Sequence, residues 1–296
     1  MDDFNQFMNY LKYEKRSSIN TLVAYENDLT QFFNYAQKSF QIKQIEQIDV
    51  PIIRTWILAL MEDKIGARSI NRKLSALKTF FRYHVKMQHI EKNPMTQITS
   101  PKIAKRLPQF VEMRDMDTLF NAELFEDSFE GWRDRTIVEL FYATGMRLSE
   151  LLNLTRNDID LYENRVKVLG KRNKERLIPF GYTLRDIFTR YFALFEEKYG
   201  QLNNNIPLFV TIKGRPLYPK AVYLIIRKYL DMVTTIDKRS PHVIRHTFAT
   251  HLLNNGADIN AVKEILGHSS LAATQVYTHN SIGKLKNIYK QAHPRA

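Results

Sequence analysis

The sequence predicts a mainly helical protein of the α+β class, with two domains and one small β-hairpin or sheet. Apolar residues recur at intervals of three and four along several long segments, which is the period of an amphipathic helix. One segment of the second half, NRVKVLGKRNKERLIPF, breaks this period into two short β-rich runs around a basic turn. A basic stretch that contains three prolines separates the two helical regions.

The first domain is expected to span residues 1–93 and to consist of helices only. The stretch SSINTLVAYENDLTQFFNYAQ offers a serine cap and then apolar residues at helical spacing. A second helix, ARSINRKLSALKTFFRYHV, carries one apolar stripe: Ile70, Leu74, Leu77 and Phe81. Another face of this helix is polar and basic, and it suits contact with phosphates through Arg68, Arg72 and Arg82. A solvated helix face explains that spacing equally well when the helix is considered alone.

A linker is expected at residues 94–108, because KNPMTQITSPKIAKRLPQF combines prolines with basic residues and has little periodicity. The second domain is expected over residues 109–296, mixed but mainly helical. Its apolar helix GWRDRTIVELFYATG closes at Gly145. Near the C-terminus, LGHSSLAATQVYTH predicts a helix that ends at Gly267 and, after a short break, a second helix that carries Tyr277.

The composition favours a protein that binds a polyanion. The 296 residues include 44 lysines and arginines against 31 aspartates and glutamates, and a net charge of +13 is typical of nucleic-acid-binding proteins. The absence of cysteine excludes disulfides and thiolate metal sites. No apolar run reaches the roughly 20 residues of a membrane span, and the polar start MDDFNQFMNY is unlike a signal peptide. We therefore expect a cytoplasmic protein without a membrane partner.

The candidates for chemistry lie at the ends of elements in the second domain: Arg147, Lys171, His242, Arg245, His268 and Tyr277. Two arginines can hold a phosphate and stabilise the charge that builds up on it. A lysine can protonate a leaving oxygen, and a tyrosine can act as a covalent nucleophile beside a base or a cationic field. The set predicts phosphoryl transfer through a phosphotyrosine. Each member also has an ordinary structural explanation, and Lys174 and Arg172 are rivals for the role of the lysine.

A metal site is the main alternative for the histidines. His242 and His246 are four residues apart, a spacing that can place two imidazoles on one helix face. A zinc hydrolase of the HExxH type needs a glutamate where this chain has Val243, and this helix contains no acidic residue. No phosphate loop of the GxxxxGK[ST] form is present either. The sequence therefore predicts neither a metal nor another cofactor.

Together, three motifs resemble the catalytic domain of the tyrosine recombinase family: ATGMRLSELLNL, HVIRHTFATHLLNNGAD and ILGHSSLAATQVYTH. SINTLVAYENDLTQFF and ARSINRKLSALKTFF resemble that family's helical core-binding domain. From about residue 5 to residue 290 the chain is similar to the Xer-type members of the family. The resemblance implies a C-shaped DNA clamp that cuts and rejoins DNA at a recombination site without metal or ATP.

The resemblance also implies a role for each candidate at the scissile phosphate: Arg147 and Arg245 hold it, Lys171 protonates the leaving 5′ oxygen, His242 assists in proton transfer, His268 donates a hydrogen bond, and Tyr277 attacks to form a 3′-phosphotyrosine. Glu150 matches an acidic position that supports this site. Family members act as tetramers on two DNA sites, through a Holliday junction. The C-terminal segment SIGKLKNIYKQAHPRA is expected to dock on a neighbouring subunit through Ile282, Leu285, Ile288 and Tyr289.

The expected biological role is the resolution of chromosome dimers near the nucleoid. The four subunits are copies of this chain or a mixture with a paralogue, and an activating DNA translocase is a further candidate partner. Three alternatives remain open at this level. They are a mobile-element integrase or DNA invertase of the same short form, a non-catalytic DNA-binding regulator on this fold, and a nicking and sealing enzyme of the type IB topoisomerase kind. The regulator predicts a lost nucleophile or arginine, whereas both are present.

Overall fold

The computed structural model describes residues 2–103, 109–120, 122–170, 175–201, 206–267 and 287–295. The chain forms two compact units, Met1–Arg106 and Leu107–Ala296. Most of the described residues are helical, and the second unit holds one small antiparallel sheet. The predicted mainly α class with a small sheet is therefore confirmed. Within the described part of the chain, no helix combines the length and the hydropathy needed to cross a membrane.

The first unit is built from the helices α1 (Asp2–Asn9), α2 (Ile19–Phe40), α3 (Val50–Glu62) and α4 (Ala67–Lys86). The predicted serine cap is present, because the side chain of Ser18 accepts a hydrogen bond from the backbone N–H of Thr21 at the start of α2. The predicted apolar stripe of α4 forms the centre of this unit, and its four members are at most 3% exposed: Ile70, Leu74, Leu77 and Phe81. Both helices were thus correctly predicted from their periodicity.

The polar face of α4 is exposed at its three arginines, Arg68, Arg72 and Arg82. Arg72 forms an ion pair with Asp28 of α2, and Lys73 pairs with the same carboxylate at 3.0 Å. Asp28 is only 1% exposed, and these two cations are its ion-pair partners among the described residues. No described residue forms an ion pair with Arg68 or Arg82, which leaves both free to meet an anion.

Replacing Asp28 with asparagine is expected to lower the free energy of unfolding by about 1–3 kcal/mol, because a neutral amide is a weaker acceptor for two cations. Chemical denaturation followed by circular dichroism measures this change. Glu26→Gln is the matched control, since Glu26 is exposed on the same helix and makes no ion pair with the described residues. Equal midpoints for the two variants would contradict the structural role of Asp28.

The described part of the predicted linker packs against the first unit. Residues Pro94–Gln97 form a 3₁₀ turn, and Met95 is 4% exposed within the core of this unit. Asn71 of α4 donates a hydrogen bond to the carbonyl of Pro101 at 3.0 Å. The chain therefore remains attached to the first unit beyond residue 93, and residues 104–108 lie outside the described part. The domain boundaries at residues 93 and 109 stay predictions.

The second unit contains the helices α5 (Met113–Leu119), α6 (Phe129–Thr144), α7 (Leu148–Leu152), α8 (Tyr182–Tyr199), α9 (Pro219–Val233), α10 (Pro241–Asn254) and α11 (Ile259–Leu266). Its strands are β1 (Ile159–Asp160), β2 (Arg165–Leu169) and β3 (Glu175–Pro179), in the order β1-β2-β3. β2 and β3 pair antiparallel with Val166 opposite Ile178, which confirms the predicted hairpin. Helix α6 is buried along most of its length, and α8, α9 and α10 pack against it.

The C-terminal segment differs from its prediction, because its described part packs on its own unit. Residues 287–292 are helical, and Tyr289 is 2% exposed in the core of the second unit. The imidazole of His293 stacks on the Tyr289 ring, and Arg295 forms an ion pair with the buried carboxylate of Glu139. The segment packs into the apolar core of this unit and pairs with a buried carboxylate. Ile282 and Leu285 lie outside the described residues.

Candidate active site

A glycine turn places the first candidate residue. Helix α6 ends at Gly145, whose φ of +57° is a conformation that side chains with a Cβ rarely adopt. A Cβ at this position would lie 2.4 Å from Cδ1 of Phe248, so a larger residue fits only if that side chain moves. The chain therefore reverses within two residues and presents Arg147 directly before α7.

Arg147 and Glu150 are joined by two hydrogen bonds at the start of α7. The carboxylate of Glu150 accepts from the backbone N–H of Arg147 at 2.7 Å and from its Nη1 at 2.9 Å. This arrangement satisfies a free N–H at the helix start and fixes the direction of the arginine side chain. Glu150 is buried, whereas the side chain of Arg147 remains 33% exposed. Glu150 thus holds both the backbone and the guanidinium of Arg147, while a third of that side chain stays accessible.

Helix α10 supplies the second arginine and one histidine. Arg245 is 9% exposed and donates to the carbonyl of Gly145 through Nη1 and to that of Leu266 through Nη2, the latter at 2.7 Å. His242, one turn earlier on α10, is exposed, and no described residue hydrogen-bonds to it. Its imidazole is therefore available for proton transfer to a bound molecule. His251, further along α10, is buried and bonded to the hydroxyl of Tyr142 at 2.8 Å, which is a structural contact.

At the end of α11, three arginines donate hydrogen bonds to three consecutive backbone carbonyls. The carbonyl of Ile265 accepts from Nε of Arg176 at 2.9 Å, that of Leu266 from Nη2 of Arg245, and that of Gly267 from Nη2 of Arg147 at 3.1 Å. These carbonyls are free because a helix cannot pair its own last carbonyl groups, and the negative end of the helix dipole favours cations there. Residue 268 follows next in the sequence and lies outside the described residues.

The electrostatics of this cluster favour an anion. Three arginines meet here and, among the described residues, only Glu150 bonds to them as an anion, through Arg147 and Arg176. Burial together with the charge of Arg147 lowers the pKa of Arg245 to about 10. Burial tends to raise the pKa of Glu150, but the hydrogen bonds and charges of Arg176 and Arg147 outweigh it and hold that pKa below its usual value. Glu150 is therefore ionised at neutral pH. The positive excess that remains suits a phosphate.

Arg176 is the member of the cluster that the sequence analysis missed. It lies on β3, is 5% exposed, and binds Glu150 through two parallel hydrogen bonds of 2.8 Å. The signal for it is the alternation of the strand, which places Arg176 on the same inward face as Ile178. A buried arginine at such a position requires an anionic partner.

Three of the predicted site residues lie outside the described part of the chain: Lys171, His268 and Tyr277. Their sequence positions still connect them to described elements. Lys171 lies between β2 and β3 in the sequence, and His268 directly follows Gly267. The structure therefore brings together Arg147, Glu150 and Arg245, and the remaining assignments rest on the sequence.

One group of potential metal ligands occurs among the described residues, in the first unit. It consists of Asp3, His84 and His89, and the Nδ1 atoms of the two histidines are 3.0 Å apart. That distance is a hydrogen bond between one protonated and one unprotonated nitrogen. Histidines that bind metal usually donate their other N–H to an acceptor, whereas Nε2 of His84 is buried without a partner among the described residues. We interpret the group as a hydrogen-bonded contact between α1 and the end of α4.

Comparison with known proteins identifies the family. Residues 109–283 match the model of the phage integrase family, and residues 4–88 match the phage integrase N-terminal SAM-like domain. The chain belongs to the phage integrase family. This membership agrees with the resemblance found in the motifs.

The relatives of this phage integrase family member define its type. It is 40% identical to the tyrosine recombinase XerC of Staphylococcus epidermidis over 290 residues, which covers 98% of this chain and 96% of that protein. It is 36% identical to the tyrosine recombinase XerC of Chlorobaculum parvum over 314 residues, with coverage of 98% and 94%. The chain is therefore a site-specific tyrosine recombinase of the Xer type, an enzyme that cuts and rejoins DNA.

Solved structures show the same fold at lower identity. The XerH recombinase in a post-cleavage complex with its palindromic difH substrate has a TM-score of 0.71 at 23% identity, covering 96% of this chain and 83% of that one. The Tn1549 transposon integrase in complex with transposon right end DNA has a TM-score of 0.72 at 18% identity, with coverage of 96% and 98%. The fold of this phage integrase family member is thus shared by proteins bound to DNA.

Proposed function

We propose that this recombinase cuts DNA with Tyr277 while Arg147 and Arg245 hold the scissile phosphate. The observation that carries the proposal is the meeting of both arginines at the end of α11, one residue before His268. No described residue accepts a hydrogen bond from Nε of either arginine, so each has donors left for phosphate oxygens. Two such clamps stabilise the extra negative charge of the five-coordinate phosphorus.

The cleavage step conserves the number of phosphoester bonds. The Tyr277 oxygen forms a bond to phosphorus, and the bond from phosphorus to the 5′ oxygen breaks. His242 assists by taking up the tyrosine proton, and Lys171 gives a proton to the departing 5′ oxygen. His268 donates a hydrogen bond to the phosphate. Because the 3′-phosphotyrosine keeps the energy of the original bond, a second 5′ hydroxyl can reverse the step on another strand without ATP.

In the proposed biological role, a tetramer exchanges strands between two DNA sites through a Holliday junction and resolves chromosome dimers. The tetramer contains copies of this chain alone or with a paralogue, and it acts in the cytoplasm on the nucleoid, where a DNA translocase activates it. The identity of 36–40% to proteins named XerC supports this role over a mobile-element integrase. Recombination between two chromosomal sites, without insertion of a mobile element, separates the two roles.

The exposed face of α4 is proposed to contact the DNA backbone. Arg68 and Arg82 have no ion-pair partner among the described residues, and Arg72 reaches the same face while it pairs with Asp28. Each such arginine neutralises a phosphate and releases counterions, so its loss is expected to reduce the salt dependence of DNA binding by about one unit of logarithmic slope.

Tyr277→Phe is expected to abolish covalent attachment to DNA and to leave DNA binding intact, because phenylalanine lacks only the attacking oxygen. The substrate is a nicked duplex that carries the organism's candidate chromosomal dimer site. The nick traps the attached protein, which is detected on a denaturing gel. Tyr162→Phe is the control, since Tyr162 is 93% exposed and outside the proposed site.

A covalent band from the wild type and from Tyr162→Phe, but not from Tyr277→Phe, supports the proposal. A band that persists in Tyr277→Phe would show that another residue is the nucleophile. Tight binding without any band from the wild type, alone or mixed with a paralogue, would favour a DNA-binding regulator.

A further inference from the structure

Arg176 is a buried charge at an inward position of a strand. Along β3, Glu175 is exposed, Arg176 is 5% exposed, and Ile178 is fully buried two residues later. Placing a guanidinium in this position is costly unless its donors are paired with anions and carbonyl groups. A hydrophobic residue at this position would be sufficient for the packing of β3. The presence of an arginine is therefore explained by the groups that it contacts.

The partners of Arg176 are two elements that carry the proposed site. Its Nη1 and Nη2 donate to the two carboxylate oxygens of Glu150, each at 2.8 Å, and its Nε donates to the carbonyl of Ile265 at 2.9 Å. The fork of one arginine thus connects β3 to α7 and to the end of α11. Only a guanidinium offers a bidentate pair and a third donor in one rigid plane.

Close packing against Gly267 strengthens this connection. Gly267 ends α11 with a φ of +64°, and a Cβ at this residue would meet the guanidinium of Arg176 at 3.2–3.3 Å. The backbone of α11 therefore approaches the flat face of the guanidinium closely, one residue before His268. A change in the position of Arg176 would shift the point at which the chain leaves α11.

Arg176 is placed to act through its neighbours and not on DNA directly. Arg147 is 33% exposed at its side chain, whereas that of Arg176 is 5% exposed, with Glu150 and α11 on it. Glu150 accepts four hydrogen bonds, two from Arg176 and two from Arg147, so the two arginines share one carboxylate. Loss of Arg176 would leave Glu150 with half of its donors.

We infer that Arg176 is a positioning residue for DNA cleavage, which fixes the Glu150–Arg147 pair and the end of α11 against β3. The inference rests on the proposed function of Arg147 and Arg245. In this arrangement one side chain sets the relative positions of three sequence segments: the strand that follows the turn with Lys171, the helix start with Arg147, and the helix end that leads to His268.

The test uses Arg176→Lys and Arg176→Gln in the full-length protein. The rate of covalent attachment to the nicked substrate is expected to fall about 100-fold in both, because a displacement of about 1 Å in a clamping residue has effects of that size. The affinity for the same DNA, measured by gel shift, is expected to remain within about threefold, since Arg176 does not reach the surface. Lysine keeps the charge but cannot form the bidentate pair.

Arg133→Lys is the matched control. Arg133 is 9% exposed, pairs with Asp134 through two donors and donates to the carbonyl of Val210, all outside the arginine cluster. The two lysine variants therefore lose the same kind of contacts. If both variants lose similar stability and only Arg176→Lys loses the cleavage rate, the effect is positional and not a general loss of folding.

A pH profile adds a readout that a purely structural role would not change. In Arg176→Gln, burial acts on Glu150 with only Arg147 opposing it, so the pKa of Glu150 rises relative to the wild type. Protonated Glu150 no longer holds Arg147 by charge. The cleavage rate of the variant is then expected to fall, relative to the wild type, as the pH decreases.

Two failures are distinguishable in this experiment. If the wild type attaches to DNA through Tyr277 and both Arg176 variants keep its rate, the proposed function stands and the role of Arg176 is refuted. If the wild type never attaches to any candidate site, the proposed function fails and the inference fails with it. A variant that loses DNA affinity and cleavage rate by the same factor, with an unchanged pH profile, also refutes a positioning role.

Discussion

Replacing Arg245 with lysine is expected to slow DNA cleavage by about 100- to 1,000-fold, the range seen when one charge-stabilising donor is removed from a transition state. The guanidinium of Arg245 reaches two carbonyls on separate segments, Gly145 and Leu266, and still has donors for a phosphate. Lysine carries its donors on a single nitrogen, so it cannot bridge both carbonyls and contact DNA.

The charge of this lysine is also expected to be weakened. Burial and the charge of Arg147 lower the pKa of Arg245 to about 10. The same influences would act on lysine from a lower starting value of about 10.4, so part of the population becomes neutral near physiological pH. Because a lowered pKa leaves lysine charged only at lower pH, the rate of the variant relative to the wild type should increase as the pH falls.

Covalent attachment to the nicked substrate at several pH values measures both effects. Arg227→Lys is the control, because Arg227 lies on α9 with a side chain that is 57% exposed. A cleavage rate in Arg245→Lys within a few-fold of the wild type would mean that Arg245 does not clamp the phosphate.

Local patterns in the sequence were sufficient to predict several helices, among them α2, α4 and α6, and the helix ends at Gly145 and Gly267. The stripe of α4, from Ile70 to Phe81, follows from spacing alone, and it is buried as expected. Gly145 and Gly267 both end their helices with positive φ. Glycine adopts this conformation readily, so a glycine after a helical pattern predicts a helix end. These features depend on neighbours within about one turn, so periodicity and residue type contain the needed information.

The contacts that organise the site could not be predicted in this way, because they join residues far apart in the chain. Arg176 is 26 residues from Glu150 and 89 from Ile265, and Arg147 is 120 from Gly267. The alternation of β3 contains the signal that Arg176 points inward, but no signal for the carboxylate that it contacts.

The C-terminal segment shows a related limit. Its apolar residues were predicted to dock on a neighbouring subunit, whereas the described residues 287–295 pack on their own unit. Two of its residues contact α6, more than a hundred residues earlier: Arg295 pairs with Glu139, and the His293 ring packs against that of Tyr142. Charge and hydrophobicity in the sequence identify a segment that must be buried. The surface that buries it is formed by residues distant in the chain, so local patterns do not identify that surface.

Replacing Glu150 with glutamine is expected to lower the free energy of unfolding by about 3–5 kcal/mol, the usual effect of removing one partner from a buried ion pair. Glutamine has nearly the same shape, but it is neutral and directs an amide group toward one of the arginines. Arg176, 5% exposed, would then be a buried cation without an anion. Cleavage is expected to fall about 100-fold as well, because Arg147 loses the acceptor that orients it.

The pH dependence of this difference follows from the direction of the pKa shift. The folded protein holds the pKa of Glu150 below its ordinary value, so the stabilisation is fully present above the unfolded pKa of about 4.3. It is lost as the pH falls through the folded value. The gap in stability between the wild type and Glu150→Gln should therefore be constant from about pH 7 to about pH 5 and narrow below about pH 4.

Denaturant unfolding over this pH range measures the gap, with Glu197→Gln as the control, because Glu197 is exposed on α8. The double variant Glu150→Gln with Arg176→Gln removes both partners and should be less destabilised than the sum of the single variants. Since the buried cation disappears together with the anion, stability would partly recover, while cleavage should not, because Arg147 would still lack its acceptor. Additive losses of stability would show that Glu150 and Arg176 act independently.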